Sequence, residues 1–466
     1  MELRNKHILV MGLGLHDGGL GVTRFLVEQG AHVTVTDLRS AEVLQPSLTA
    51  LQGLPVTFVL GEHRAADFRN ADMVIRNPGV PRGSPFLQLA REAGATIEME
   101  MSLFFRLCPG PILGITGTRG KTTTTLLAGA MLREQFPDTV IAGNLRVSAL
   151  EQLPRITATT PVVLELSSWQ LEGLGEAELS PAFADVTNMS PDHLNTYQDM
   201  DDYAAAKREI VAHQGADGLA VLNANDPVVA PFARAVRGRC VWVRDALAAD
   251  VRPADAPNAG EVLVDADGIH ADLAGVWTTI CGVQDVQLPG RHNLLNVAHA
   301  AALALAFGVT IANVRTAIQG FRGVPHRMEL VRELHGVRFI NDTTATTPTA
   351  TIAALQALAA PVVLIAGGAD KKLPLDTLPA VIAARVKDVV LLAGTATPRL
   401  QAALAAYPTV ALTAPFADFA EAIQVAQQLA GPGDVVLLSP ACASFGMFKH
   451  EFDRGDQFRA LVEQLV

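Results

Sequence analysis

The sequence predicts an α/β protein of three domains: a Rossmann-like N-terminal domain over residues 1–108, a central P-loop ATPase-like domain over 109–324 and a doubly wound C-terminal domain over 325–466. Three observations lead there. A chain of 466 residues, 49% of them hydrophobic, exceeds what one core holds and matches about three domains of ordinary size. Short β-branched runs alternate with helical patterns from one end to the other, the signature of parallel sheets wound with helices. Helix breakers cluster at Leu107-Cys108-Pro109-Gly110-Pro111, and a new segment opens at Val324-Pro-His-Arg327.

The N-terminal segment begins with a buried-strand pattern over 7–12 and the turn Gly12-Leu-Gly14-Leu15-His16-Asp-Gly18. A helix to about Gln29 and a strand over 32–36 ending at Asp37 complete a Rossmann-like βαβ opening. Taken alone it is compatible with a dinucleotide whose ribose hydroxyl meets Asp37, although the spacing Gly-x-Gly-x-x-x-Gly is one residue longer than that fingerprint. A strand over 71–76 then breaks at Asn77-Pro-Gly79-Val-Pro81. Two prolines around a glycine force a turn at the strand's carboxyl end, where open α/β sheets bind ligands.

The central segment holds Gly114-Ile-Thr-Gly117-Thr118-Arg119-Gly120-Lys121-Thr122-Thr123-Thr-Thr125, with a strand-like lead-in before it and a helix over 122–132 after it. Glycines 117 and 120 let backbone N–H groups turn onto an anion at a helix N-terminus. Lys121 can reach the outer phosphates and the Thr122 hydroxyl a magnesium ion, so ATP or GTP is the expected ligand. Ile115 stands where the general P-loop pattern has its first glycine.

Further along, Glu165 interrupts the apolar run 161–171, and a buried carboxylate needs a partner, either an arginine or a magnesium ion beside the P-loop. Asp192-His193 follows a strand in a polar loop and can be a metal site or an ordinary surface pair. A helix over 203–210 carries Lys207. Strands are expected at 218–222 and 239–243, then an acidic, loop-rich region through residue 266. Asn293 and Asn296 share one turn of a helix that starts after Pro289; their amides can read an adenine edge or cap the helix. In the C-terminal segment, strands over 337–340, 362–366, 389–392 and 435–438 alternate with helices, and Asn341-Asp342, Lys371 and Ser439-Pro-Ala-Cys-Ala-Ser444 sit at strand ends.

The string over 116–124, together with Glu165-Leu-Ser-Ser-Trp-Gln-Leu171, Asp192-His193-Leu194, Gly290-Arg-His-Asn293-Leu-Leu-Asn296 and Ser439-Pro-Ala-Cys-Ala-Ser444-Phe445, resembles the Mur ligase family, ATP-dependent enzymes that add amino acids to the peptidoglycan precursor. The likeness spans the whole chain in the family's order. It implies a ligase joining D-glutamate to UDP-N-acetylmuramoyl-L-alanine through an acyl phosphate. ATP would be held by Gly117 to Thr123, Asn293, Asn296, Arg327 and Asp342. Two magnesium ions would be held by Thr122, Glu165, His193 and a carbamate on Lys207, making Lys121, Glu165, His193 and Lys207 the catalytic set. The UDP-precursor would meet Leu15, His16, Asp37, Arg39, Gly79 and Asn144, and the amino acid Thr346, Lys371, Ser444 and the amide of Phe445. Three positions depart from the family: Arg146 for a glycine, Thr344 for a lysine and Glu451 for an aromatic. The alternatives are a sister ligase for another amino acid, L-glutamate included, and a dinucleotide-dependent oxidoreductase.

With 36 basic and 47 acidic residues, a formal charge of −11 argues against a nucleic-acid partner, so substrate phosphates must be met locally. The four cysteines lack CxxC spacing, which suits a reducing compartment without structural zinc. The N-terminus runs into a strand without a signal-peptide core, and no apolar stretch reaches the ~18 residues of a membrane span. A cytoplasmic monomer without membrane insertion is expected.

Overall fold

Alternation explains the first sheet. In His7–Met11, Ile8 and Val10 face one apolar cluster with the helix Asp17–Glu28, while Leu9 and Met11 face another with the helices Ala65–Arg69 and Pro85–Glu92. Both faces are therefore covered, and the strand reads as an uninterrupted apolar run. The structure, a computed structural model, describes every residue except 15, 16, 146, 147, 193–195, 274, 289 and 376.

This sheet is parallel throughout, in the order Val56–Leu60, His32–Asp37, His7–Met11, Met73–Arg76, Thr96–Glu98. Strand order reverses at His7–Met11, so the loops after it part and leave a crevice at the carboxyl ends.

The second sheet has nine strands, ordered Thr278–Gly282, Gly268–Asp272, Gly260–Val264, Arg239–Asp245, Leu219–Asn223, Phe183–Val186, Ile112–Thr116, Val162–Glu165, Val140–Gly143. The first three form an antiparallel meander and the rest run parallel. Its strand Gly260–Val264 corrects the sequence reading, which expected a loop-rich region through residue 266. Val262 and Val264 are buried in alternation, and Asp265 accepts from the N–H groups of Asp267 and Gly268 to close the hairpin turn. The acidic turn residues obscured a period of two.

One face of this sheet packs against the helices Lys121–Arg133 and Arg291–Phe307, whose alanines at 298, 300–302 and 304 are buried. The apolar cluster on the other face is shared with the first sheet, since Met101, Leu103 and Phe104 belong to it with Leu164 and Leu171. Accordingly Met1–Phe321 is one compact unit containing both sheets.

Arg322–Val466 forms the second unit. Its six-stranded sheet is ordered Glu329–Leu334, Val337–Asn341, Val435–Leu438, Val362–Gly367, Val386–Leu392, Ala411–Leu412, with only the first pair antiparallel. No helix among the described residues is long and apolar enough to cross a membrane.

Candidate active site

Strand Ile112–Thr116 is buried along its length and delivers the loop over 117–120 to the start of helix Lys121–Arg133. Gly120 has φ +82° and a Cβ there would stand 2.2 Å from Asn296 Oδ1; at Gly117, φ +145°, it would stand 2.1 Å from Thr187 Oγ1. Side chains close in where glycine leaves room. The loop is clasped from one segment. Asn188 O accepts from Thr118 N–H at 2.8 Å, Asn188 Oδ1 from Arg119 N–H at 3.0 Å, and Arg119 O accepts from Asn188 Nδ2 at 2.9 Å and Thr187 Oγ1 at 2.8 Å. Lys121 Nζ folds back and donates to Thr118 O at 3.0 Å. Behind it the first-turn N–H groups of the helix lack intrahelical acceptors and face outward with the positive end of the dipole, a cradle for an anion.

Asn296, 6% exposed, donates from Nδ2 to Asn293 Oδ1 at 3.1 Å. Neither asparagine is the N-cap of its helix; that residue is Gly290, which has no side chain. The sequence reading left capping open, and the capping position falls elsewhere.

Glu165 is the last residue of Val162–Glu165 and 2% exposed. Its Oε2 accepts from Thr122 Oγ1 and its Oε1 from Asn144 Nδ2, each at 2.7 Å. The apolar run ends there because Ser167 caps the helix Ser168–Glu176 in a reciprocal box with Gln170. Lys207, on helix Met200–Ala212, is 1% exposed and donates to Thr116 Oγ1 at 3.2 Å. Burial first, then the charge of Lys121, pushes its ammonium pKa down to about 7 against the pull of Asp192 and Glu165. Such an amine is substantially neutral near physiological pH.

Among the described residues no three His, Cys, Asp or Glu gather into a metal cage. A hydroxyl beside a buried carboxylate held by neutral donors nevertheless suits magnesium, which keeps waters, takes phosphate oxygens and needs one or two carboxylates from the protein. His193 lies outside the described residues, as do Leu15 and His16.

In the first sheet, a cavity of about 610 Å³ opens at the order reversal, walled by Gly12, Asp37, Arg39, His63, Gly79 and Phe86 among others. Asp37, 4% exposed, accepts from the N–H groups of Leu13 at 2.9 Å, Gly14 at 3.3 Å and Arg39 at 2.9 Å, and from the Arg39 guanidinium at 3.1 Å. Burial raises its carboxyl, but the bonds from Arg39 and from the backbone outweigh that and hold it below the usual range. Asn144 is turned to Glu165 and does not line this cavity.

In the second unit, Asp342 follows strand Val337–Asn341 and accepts from Met328 N–H at 3.2 Å and Ser439 Oγ at 2.9 Å. Burial dominates and pushes its carboxyl up to about 6. Arg327 is exposed. Lys371 Nζ donates to Thr346 Oγ1 at 2.8 Å, and Ala369 pairs with Ala443 through two backbone bonds, which joins the loops carrying Lys371 and Ser444. Ser444 Oγ is buried without a hydrogen-bond partner among the described residues, whereas the Phe445 side chain is 62% exposed. Thr344, in the position of the family's lysine, donates to His326 O at 3.0 Å. Buried Arg454 donates to Thr343 Oγ1 and Thr343 O, both at 2.9 Å, and pins the loop to helix Glu451–Glu463.

Sequence reasoning missed Thr116, Thr187 and Asn188, which hold Lys207 and the loop, and Arg454. It also missed the buried pair of Asp185 and His299, 2.6 Å apart, which ties helix Arg291–Phe307 to strand Phe183–Val186. The available signal was modest: Thr187 and Asn188 are polar residues directly after a buried strand.

Comparison with known proteins gives consistent matches over all three sheets. The MurD-like N-terminal domain of Mur ligases matches residues 6–98, the Mur ligase middle domain 115–304 and the Mur ligase glutamate ligase domain 326–442. The UDP-N-acetylmuramoylalanine–D-glutamate ligase of Roseiflexus sp. is 58% identical over 471 residues, covering 100% of both chains. Its counterpart in Symbiobacterium thermophilum is 39% identical, covering 98% of this chain and 97% of that one. The crystal structure of the UDP-N-acetylmuramate-alanine ligase MurC from Thermotoga maritima, 20% identical with a TM-score of 0.54, covers 98% of this chain and 99% of its own, a likeness of fold. With three domain matches in order and identity sustained over the full length, the chain belongs to the Mur ligase family.

Proposed function

We propose that the protein is an ATP-dependent ligase that joins D-glutamate to UDP-N-acetylmuramoyl-L-alanine in cytoplasmic peptidoglycan precursor synthesis. The observation that carries this reading is the meeting of Thr122 with Glu165 at the anion cradle, in a chain 58% identical to a protein of that name. The triphosphate would lie on the amides of the loop over 117–120 and the first helical turn, with Lys121 leaving Thr118 O to reach it. Asn293 and Asn296 would take the adenine edge.

Thr122 and Glu165 would hold magnesium, whose chemistry is to offset negative charge on phosphoryl oxygens. Lys207 has the burial and the lowered basicity for a carbamate: its neutral amine would form an N–C bond to carbon dioxide and lose a proton, leaving one negative charge shared by two oxygens. With His193 it would serve a second ion. In the reaction the alanine carboxylate of the precursor would attack the γ-phosphorus of ATP, breaking its bond to the bridging oxygen and releasing ADP, and the glutamate amine would displace inorganic phosphate from the resulting acyl phosphate and lose a proton to leave the amide.

The precursor would occupy the cavity at Asp37, Arg39 and Gly79, with Leu15 and His16 beside it and Asn144 toward the reacting end. Thr346, Lys371, Ser444 and the amide of Phe445 would bind the amino acid, with Thr344 and Glu451 reshaping that pocket relative to other members. Domain limits near 108 and 324, a monomer, and no nucleic-acid or membrane partner complete the reading. Phosphate release with ATP, the precursor and, in turn, D-glutamate, L-glutamate, L-alanine and a diamino acid tests it. Release with D-glutamate alone is expected; equal or greater release with another amino acid overturns the assignment of substrate.

A further inference from the structure

Helix Arg291–Phe307 carries Asn293 and Asn296 in its first turns and buries alanines at 298, 300–302 and 304 behind them. A face of small, nearly identical side chains packs about as well after a slight slide or rotation, so apolar contact alone does not fix where the two asparagines stand. One polar contact does. His299, a turn after Asn296, meets Asp185 of strand Phe183–Val186 at 2.6 Å through Nδ1 and Oδ1, and both side chains are buried. Asp185 Oδ2 and His299 Nε2 have no hydrogen-bond partner among the described residues, so the hydrogen bonding of each side chain rests on this contact. A helix position that breaks it leaves two desolvated polar groups unpaired and is disfavoured.

The length of the contact matters as well. Carbon surfaces pack no closer than about 3.5–4.0 Å, so the pair holds the helix roughly an ångström nearer the sheet than apolar side chains of equal reach. That closeness is used at the nucleotide loop. Asp185 lies beside Ile115 of the strand that leads into the loop, and Asn296 Oδ1 stands 2.2 Å from where a Cβ on Gly120 would be. The glycine in the loop and the short polar contact of the helix serve the same close approach.

We infer that Asp185 and His299 are positioning residues of the nucleotide site: their contact sets the register of the helix so that Asn293 and Asn296 can read the base. An amide oxygen that accepts from the adenine amino group meets a carbonyl oxygen at the same place in guanine, and a displaced amide loses that discrimination. The inference deepens the reading of Asn293 and Asn296 as adenine contacts and rests on it.

Calorimetric binding of ATP, GTP and inorganic tripolyphosphate to the full chain, with denaturant midpoints, tests it. Asp185→Val combined with His299→Leu replaces the pair by apolar groups, an exchange that is often neutral for stability. His299→Asn keeps a hydrogen-bonding atom where Nδ1 stands, and His299→Gln moves it further out. Wild type is expected to prefer ATP over GTP by about tenfold or more, the scale of one paired amide–base contact. The double variant should lose most of that preference by weakening ATP alone, with the ATP KM raised, and with kcat, the precursor KM and tripolyphosphate binding as in wild type. His299→Asn should keep the preference and His299→Gln reduce it. A wild-type preference in a folded double variant, or equal weakening of ATP, GTP and tripolyphosphate, overturns the positioning role and leaves the adenine reading standing. If the double variant does not fold, equal preferences in His299→Asn and His299→Gln overturn that role. Wild-type indifference between ATP and GTP overturns the adenine reading and this inference together.

Discussion

Asp37 and Glu165 occupy equivalent places in two different sheets. Each ends a parallel strand, each is nearly buried, at 4% and 2% exposure, and each accepts hydrogen bonds through both oxygens. Their partners differ in charge. Asp37 faces the Arg39 guanidinium and three backbone amides, so its charge is compensated within the chain. Glu165 faces the Thr122 hydroxyl and the Asn144 amide, both neutral. Removing a carboxylate from water costs several kcal/mol unless a counter-charge offsets it. Hence the hydrogen bonds of Asp37 bring a counter-charge from the chain, whereas those of Glu165 come from neutral groups, and on the proposed reading it is Glu165 that would meet a magnesium ion.

The largest expected effect comes from removing the charge of Glu165. Glu165→Gln keeps the volume and one acceptor, so the fold should persist while kcat falls by about 10²–10³, the usual scale for losing one electrostatic element of a transition state. The magnesium concentration for half-maximal activity should rise at the same time. A Glu165→Gln enzyme with wild-type magnesium dependence would make the two carboxylates alike and remove the distinction.

Lys207 extends the contrast to a cation. Its folded pKa of about 7 lies below the ordinary 10.5, so between those values the unfolded chain binds more protons and wild-type stability climbs as pH rises. Lys207→Met should therefore be the more stable protein at pH 7, by on the order of 4 kcal/mol for a shift of about three units, and the gap should close toward pH 10. Denaturant midpoints in buffer stripped of carbon dioxide measure this. Activity should drop by about 10²-fold in the same variant, since a methionine thioether cannot take up carbon dioxide to give the oxygen ligands that the proposed carbamate would offer a magnesium ion. A Met variant less stable than wild type at pH 7 would mean that the amine is compensated after all.

The legibility of these groups in the sequence divides along a physical line. The loop over 117–120, the strand that precedes it and the helix that follows are specified by neighbours in the chain, and composition announces them. Glu165 was legible because a charge in an apolar run is anomalous wherever it lies. The clasp by Asn188 was not, because its partner Arg119 is 69 residues away and an asparagine after a strand has many ordinary uses. The same holds for His299 and Asp185, 114 residues apart, and for Asn144, whose amide the sequence assigned to the sugar nucleotide and the fold turns to Glu165. Contacts of that kind are decided by strand order, which no local pattern encodes.

The smallest effect, and the one that isolates compensation, is expected from Asp37→Asn. The carboxyl of Asp37 is held below its unfolded value by Arg39 and the surrounding amides, so its contribution to stability is present above the ordinary carboxylate pKa and is lost as pH falls through the lower folded one. Asparagine turns an N–H toward backbone donors, and a protonated aspartic acid turns an O–H toward the same donors. The two proteins should thus differ in thermal midpoint at pH 6–7, converge as pH drops below about 4, and coincide once Asp37 is protonated. kcat should stay within about twofold while the precursor KM rises, because only the wall of the cavity has changed. A gap in midpoint that persists in strong acid would assign the loss to packing, and a fall in kcat on the scale of Glu165→Gln would mean that charge at Asp37 takes part in the chemistry.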